Sequence, residues 1–143
     1  MAGPQLENGF TQIANELLEV IMRTNFNTTQ LKILLCIIRF TYGFQRKSHY
    51  FSINFIANSL GVSKRTIGKE LINLINADVL SEVEKYTAKK ERKLQINKNY
   101  NQWRNFTISF SEWKQTSTVE DNFYSRVEAD FHRGVEAEFH SRV

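Results

Sequence analysis

Residues 53–77 read Ile53-Asn54-Phe55-Ile56-Ala57-Asn58-Ser59-Leu60-Gly61-Val62-Ser63-Lys64-Arg65-Thr66-Ile67-Gly68-Lys69-Glu70-Leu71-Ile72-Asn73-Leu74-Ile75-Asn76-Ala77. They spell two short amphipathic helices broken at Leu60-Gly61-Val62. Ser52 is placed to cap the first helix and Ser63 the second, each hydroxyl accepting a backbone N–H of the opening turn. Gly61 supplies the left-handed residue that the intervening turn requires. Basic and small polar residues open the second helix, while Ile67, Leu71, Leu74 and Ile75 give it an apolar back. This is the pattern of a helix-turn-helix whose second helix enters the DNA major groove.

Beyond Asp78, the segment Leu80-Ser81-Glu82-Val83-Glu84-Lys85-Tyr86 alternates imperfectly at Leu80, Val83 and Tyr86. A charged tip, Ala88-Lys89-Lys90-Glu91-Arg92, then leads into Lys93-Leu94-Gln95-Ile96-Asn97. A hairpin with a basic tip directly behind a helix-turn-helix forms a wing. Upstream, Ser48-His49-Tyr50-Phe51 reads as a short strand. Two helices are expected before it. In the first, capped by Thr11 and running over residues 12–24, Ile13, Leu17, Val20 and Ile21 share one face. In the second, capped by Thr28 or Thr29 and ending near Thr41, Leu31, Leu34, Leu35, Ile38 and the Tyr42 ring suit a core, and Gly43 stops the helix. The expected fold is α+β, mostly α: a winged helix-turn-helix with a small β-hairpin wing over residues 1–103. An aromatic linker follows over 104–118, then a repeat tail over 119–143. Tyr100, Trp103, Phe106, Phe110 and Trp113 would form one stripe if that region were helical.

The net charge of +4 conceals an asymmetry. Residues 1–100 hold 14 Lys/Arg against 8 Asp/Glu, a balance of +6, whereas residues 101–143 hold 5 against 7, a balance of −2. The basic excess lies in the segment expected to fold, where a phosphate-binding surface needs it. The single cysteine, Cys36, sits in an apolar run and reads as a buried thiol in a reducing, cytoplasmic compartment. No stretch approaches the roughly 18 apolar residues of a membrane span. The first residues show no basic n-region leading into an apolar one, so no secretory signal is expected.

Nothing in the pattern points to catalysis: there is no nucleophile elbow, no glycine-rich phosphate loop and no carboxylate cluster inside the basic domain. His49 stands alone, and His132 and His140 lack cysteine partners, so neither a metal nor another cofactor is expected. The DNA-binding candidates begin at the second helix of the motif. Ser63, Lys64, Arg65 and Thr66 lie at its N-terminus, suited to phosphate contacts. Arg65 and Lys69 reach guanine edges, and Asn73 is suited to adenine. Lys89, Lys90, Arg92 and Lys93 of the wing would meet backbone or minor groove, with Arg46 and Lys47 adding phosphate contacts. Lys85 and Lys98 read as ordinary solvated charges.

The end of the chain repeats with a period of eight: Val119-Glu120-Asp121-Asn122-Phe123-Tyr124-Ser125-Arg126, Val127-Glu128-Ala129-Asp130-Phe131-His132-Arg133-Gly134, and Val135-Glu136-Ala137-Glu138-Phe139-His140-Ser141-Arg142. Four-residue steps advance about 40° past a full helical turn, so the Val/Phe stripe winds around a straight helix. One Val and one Phe per octad cannot bury a core, and the tail is expected to be disordered or marginally helical alone. Val143 opens a fourth octad, as a truncated reading frame would.

Gly3-Pro4-Gln5-Leu6-Glu7-Asn8-Gly9-Phe10-Thr11 through Ile13-Ala14-Asn15-Glu16-Leu17-Leu18-Glu19 resembles the opening of the N-terminal domain of bacteriophage replication protein O. So does Arg39-Phe40-Thr41-Tyr42-Gly43-Phe44 with the helix-turn-helix and Asn99-Tyr100. The resemblance spans residues 3–103. It implies a replication initiator that binds repeated origin sites in double-stranded DNA within the bacterial host cell, often as a homodimer. It also implies recruitment of the host replicative helicase through a separate C-terminal region, for which the octads are no evident counterpart. Such genes can contain the origin repeats themselves, so a 24-base coding period would let the octads be the translation of the binding sites, the alternative being an interaction tail. The rival readings are a winged-helix transcriptional repressor and a winged-helix protein-docking module of a replication complex.

Overall fold

Four helices and three strands follow from these local signals. In the computed structural model, which describes residues 3–109, they run α1 (Asn15–Arg23), α2 (Thr28–Thr41), β1 (His49–Phe51), α3 (Ile53–Leu60), α4 (Lys64–Asn76), β2 (Leu80–Glu84) and β3 (Arg92–Ile96). About half of these residues are helical, and the strands form one antiparallel sheet in the order β1-β3-β2. The fold is α+β. Residues 3–108 cluster as one compact unit.

The motif at 53–77 forms as its caps dictate. Ser52 accepts from the Phe55 N–H and Ser63 from the Thr66 N–H, and Gly61 takes the left-handed conformation at φ 68°. Behind α4, Asp78 adopts φ 62° and the Val79 N–H reaches the Leu74 carbonyl, closing the helix. Arg104 secures that end by donating to the Asn76 carbonyl and pairing with Asp78 at 2.9 Å.

The upstream helices depart from expectation in their details. Thr11 does not cap α1, which starts at Asn15 with no side-chain cap. Asn27, not Thr28 or Thr29, caps α2: its side chain accepts from the Gln30 N–H while the Gln30 side chain accepts from the Asn27 N–H, a complete capping box. The buried face of α2 is Ile33, Leu34, Cys36, Ile37 and Ile38, leaving Leu31 and Leu35 exposed. Gly43 does not terminate the chain's helical run; a 3₁₀ turn over Tyr42–Phe44 follows, and the left-handed residue is Gln45.

Around α2 the core gathers Leu17, Val20 and Ile21 of α1, Ile56 and Ala57 of α3, and Ile67, Leu71 and Leu74 of α4. The sheet contributes Phe51, Leu80, Leu94 and Ile96. A polar bridge crosses this packing: the Gln30 amide donates to the buried Glu70 carboxylate at 2.9 Å, joining the start of α2 to the middle of α4. The broken alternation of β2 has a cause. The register with β3 shifts between Glu82 and Glu84, so Val83 is the extra residue of a bulge and stands exposed.

The aromatic stripe is not a helix as far as it is described. A 3₁₀ turn at Tyr100–Gln102 gives way to extended chain. Trp103 is buried and meets Phe26, which also packs edge-on against Phe106 at 4.7 Å. Thr24 bridges Ile108, returning the chain to the end of α1. Phe110, Trp113 and the octads lie outside the described residues.

Candidate nucleic-acid interface

The outward face of α4 is set by its register. At about 100° per residue, Ile72 projects within about 20° of Arg65, Lys69 within about 40°, and Asn73 about 80° away. Lys64, Arg65, Lys69, Ile72 and Asn73 are all exposed. Lys64, Arg65 and Lys69 have no carboxylate partner among the described residues. Ile72, 40% exposed, places an aliphatic branch amid these cations, a residue that the sequence pattern assigned neither to the apolar back of the helix nor to its polar face. Asn73 is steered from beneath, its amide donating to Glu70 at 3.2 Å. Ser63 and Thr66 are occupied with each other: the Ser63 hydroxyl donates to the Thr66 hydroxyl at 2.9 Å while accepting its backbone N–H.

The β2–β3 hairpin, the expected wing, holds its cations differently. Arg92 pairs with Glu82 at 3.0 Å, both half-buried. Glu84 gathers Lys90 at 3.7 Å, Lys93 at 3.8 Å and the donated Tyr50 hydroxyl at 2.7 Å. That hydroxyl, with the two ammonium groups adding to it, holds the Glu84 carboxyl below its ordinary range; the same hydrogen bond raises the Tyr50 phenol. Lys89 at the tip has no carboxylate partner among the described residues.

The N-terminal half of α4 is linked to the base of the β2–β3 hairpin only through α3. Gly68 backs onto Ile53, where an added methyl would meet Ile53 Cδ1 at 3.5 Å. Ile53 in turn shares a cavity with Tyr86 and Arg92. Arg46 and Lys47 are elsewhere. His49 pairs with Leu94 and Phe51 with Arg92, so β1 enters the sheet at the end away from the wing tip. Lys47 accordingly lines a cavity with Ile96 and Lys98, roughly 13 Å along the strand from Arg92. The contacts thus run from α4 through Ile53 to the Arg92 end of the hairpin, while Lys47 lies by the opposite end of β3.

The remaining candidates for chemistry are quiet. Cys36 is buried, and burial pushes its thiol up to about 11. His49 is half-buried against Phe51, its basicity lowered by burial and then by Arg46. Among the described residues no group of three or more His, Cys, Asp or Glu could hold a metal ion, and no helix is long and apolar enough to cross a membrane.

The family model for bacteriophage replication protein O matches residues 3–103, all four helices and the whole sheet. The chain belongs to that family. It is also 28% identical over 108 residues to the DNA replication protein gp18 of Salmonella phage P22, an alignment covering 76% of this chain and 37% of that protein. No solved structure matches the chain. Every α4 and wing residue singled out above falls inside the matched span of the replication protein O family.

Proposed function

We propose that the domain is a winged-helix module that binds double-stranded DNA in sequence-specific fashion, and that the chain acts as a phage replication initiator on repeated origin sites. The carrying observation is the α4 face: exposed Lys64, Arg65 and Lys69 around Ile72, without acidic partners among the described residues. In the major groove, Arg65 and Lys69 donate to guanine edges, Ile72 meets a thymine methyl, and Asn73 takes adenine. Ser63, Lys64, Thr66 and Lys89 lie nearest the phosphates, with Lys90 and Lys93 available once released from Glu84. On this reading the chain is a binding module and not an enzyme. A second copy and the host replicative helicase are its partners, supported by family membership alone.

The origin repeats themselves are sought in the DNA encoding residues 119–143, whose octads recur every 24 bases. A mobility-shift titration of the chain against that DNA and a shuffled control tests the reading. Preferential binding is expected, with log K falling against log salt at a slope of about −3 to −4 for some four neutralised phosphates. Salt-independent or negligible binding to any duplex would sink it and favour a protein-docking role.

A further inference from the structure

Exposed aromatic rings gather on the side of α3 turned away from α4. Ile53 faces α4, and Phe55, two residues on, projects about 200° around the helix. Phe55 meets Phe40 edge-on at 5.0 Å, and Phe40 stacks on Phe44 at 6.1 Å. Phe44 and Phe55 are 52% and 39% exposed. Two guanidinium groups are threaded through the rings: Arg39 lies 5.1 Å from both Phe40 and Phe44, and Arg46 lies 4.8 Å from Phe44. Arg46 also donates to the Phe40 carbonyl at 3.1 Å, and neither arginine has a carboxylate partner among the described residues. Ring contacts therefore fix the positions of these cations without neutralising them.

Beside this ladder runs a cleft of about 210 Å³ between the N-terminal segment and the end of α2, walled by Asn8, Phe10, Thr11, Arg39 and Phe44. Phe10 is 60% exposed. Gly43 forms part of the wall, where a side chain would come within 2.8 Å of Arg39 Nη1 and 2.9 Å of Thr11 Oγ1. The volume is below the roughly 300 Å³ at which drug-sized pockets begin, so the cleft takes one ring system. It offers aromatic surface, an amide, a hydroxyl and a guanidinium, rimmed by positive charge with no carboxylate in its lining. The complement is a flat heteroaromatic carried on an anionic chain.

We propose that this cleft binds an unpaired base of single-stranded DNA, stacked against Phe10 or Phe44, with Arg39 and Arg46 on the flanking phosphates. A duplex hides its base faces and cannot use the cleft, whereas stacking on protein aromatics is how single strands are held without sequence preference. An acidic peptide would satisfy the arginines and leave the exposed rings unused. The site lies apart from the α4 face and does not depend on the duplex reading.

Fluorescence anisotropy with a labelled oligothymidylate of about 16 nucleotides, run beside a labelled duplex, tests the proposal. Phe10→Ala with Phe44→Ala should weaken oligothymidylate binding about ten-fold or more and leave duplex binding unchanged. Phe44→Trp should retain the single strand, since it keeps an aromatic face. Arg65→Ala should affect the duplex alone, so the two sites fail separately. Absence of oligothymidylate binding, equal loss on both ligands, or displacement by poly-glutamate as readily as by unlabelled oligothymidylate would overturn it.

Discussion

On α4, Lys64, Arg65 and Lys69 stand exposed with no carboxylate opposite them among the described residues; on the β2–β3 hairpin, Lys90, Arg92 and Lys93 each lie within 3.0 to 3.8 Å of Glu82 or Glu84. A phosphate or base edge approaching α4 displaces only water. One approaching the hairpin competes with a carboxylate already in place, cheaply at the exposed Lys90–Glu84 contact and at greater cost at the half-buried Arg92–Glu82 pair. Equal formal charge therefore gives unequal availability. On the reading proposed here, α4 supplies specificity, Lys89 with Lys90 and Lys93 supplies adjustable affinity, and Arg92 holds the hairpin together.

The largest effect is expected at the free end of this comparison. Arg65→Ala should weaken binding to the preferred duplex by about 1–3 kcal/mol and relax the preference at one base pair. Binding to shuffled DNA should fall far less. A variant that binds its site as tightly as the parent would mean that α4 is not the reading element. Arg92→Ala should do the opposite: leaving Glu82 without its partner costs about 1–2 kcal/mol of stability. That amounts to a drop of several degrees in Tm for a domain of this size, seen by thermal melting. Sequence preference should survive. Lost preference with unchanged Tm would reverse the roles assigned to the two arginines.

Ile72 sharpens the comparison from the apolar side. Replacing single thymines by deoxyuridine removes one methyl each, and at one position affinity should fall a few-fold, about 0.5–1 kcal/mol. Ile72→Ala should be weaker by a similar factor and indifferent to that same replacement. If both proteins respond equally, the methyl is read by another residue. Smaller still is the gain expected from Glu84→Gln. Releasing Lys90 and Lys93 should raise duplex affinity by up to a few-fold, within the roughly 0.2–1 kcal/mol of an exposed ion pair, and steepen the salt dependence.

The elements that were legible in the chain are those whose signals are local. Ser52, Gly61 and Ser63 each act within one turn, so the helix-turn-helix boundaries were readable, and the tip residues announced the hairpin. The buried face of α2 was not. Residues 31–38 are apolar at every position but Lys32, so periodicity does not choose between Leu31/Leu35 and Ile33/Ile37, and only the packing against α4 and the sheet does. The stripe from Tyr100 had helical spacing, but Trp103 and Phe106 are held by Phe26, far earlier in the chain. Within the candidate site, α4 was legible because one helix carries it. The separation of Arg46 and Lys47 from the wing was not, since it follows from the β1–β3 register. Nor was the pairing of the wing cations, which depends on the bulge at Val83 and on Tyr50 from the far strand.

That tyrosine gives the finest test of how firmly the hairpin keeps its cations. Glu84 titrates below its ordinary value of 4.5 first because the Tyr50 hydroxyl donates to it, and only then because Lys90 and Lys93 are near. A carboxyl depressed in the folded state contributes stability that is present above its unfolded value and lost as pH falls through its folded value. Tyr50→Phe should therefore move the Glu84 midpoint up toward 4.5, read by NMR titration of its side-chain carbon. The stability difference between the two proteins should be constant near neutral pH and vanish in acid, once Glu84 is protonated in both. If the midpoint stays where it was, the lysines and not the phenol hold Glu84. Lys90 and Lys93 would then be held more firmly than the exposed contacts suggest, leaving more of the phosphate contacts to α4 and Lys89.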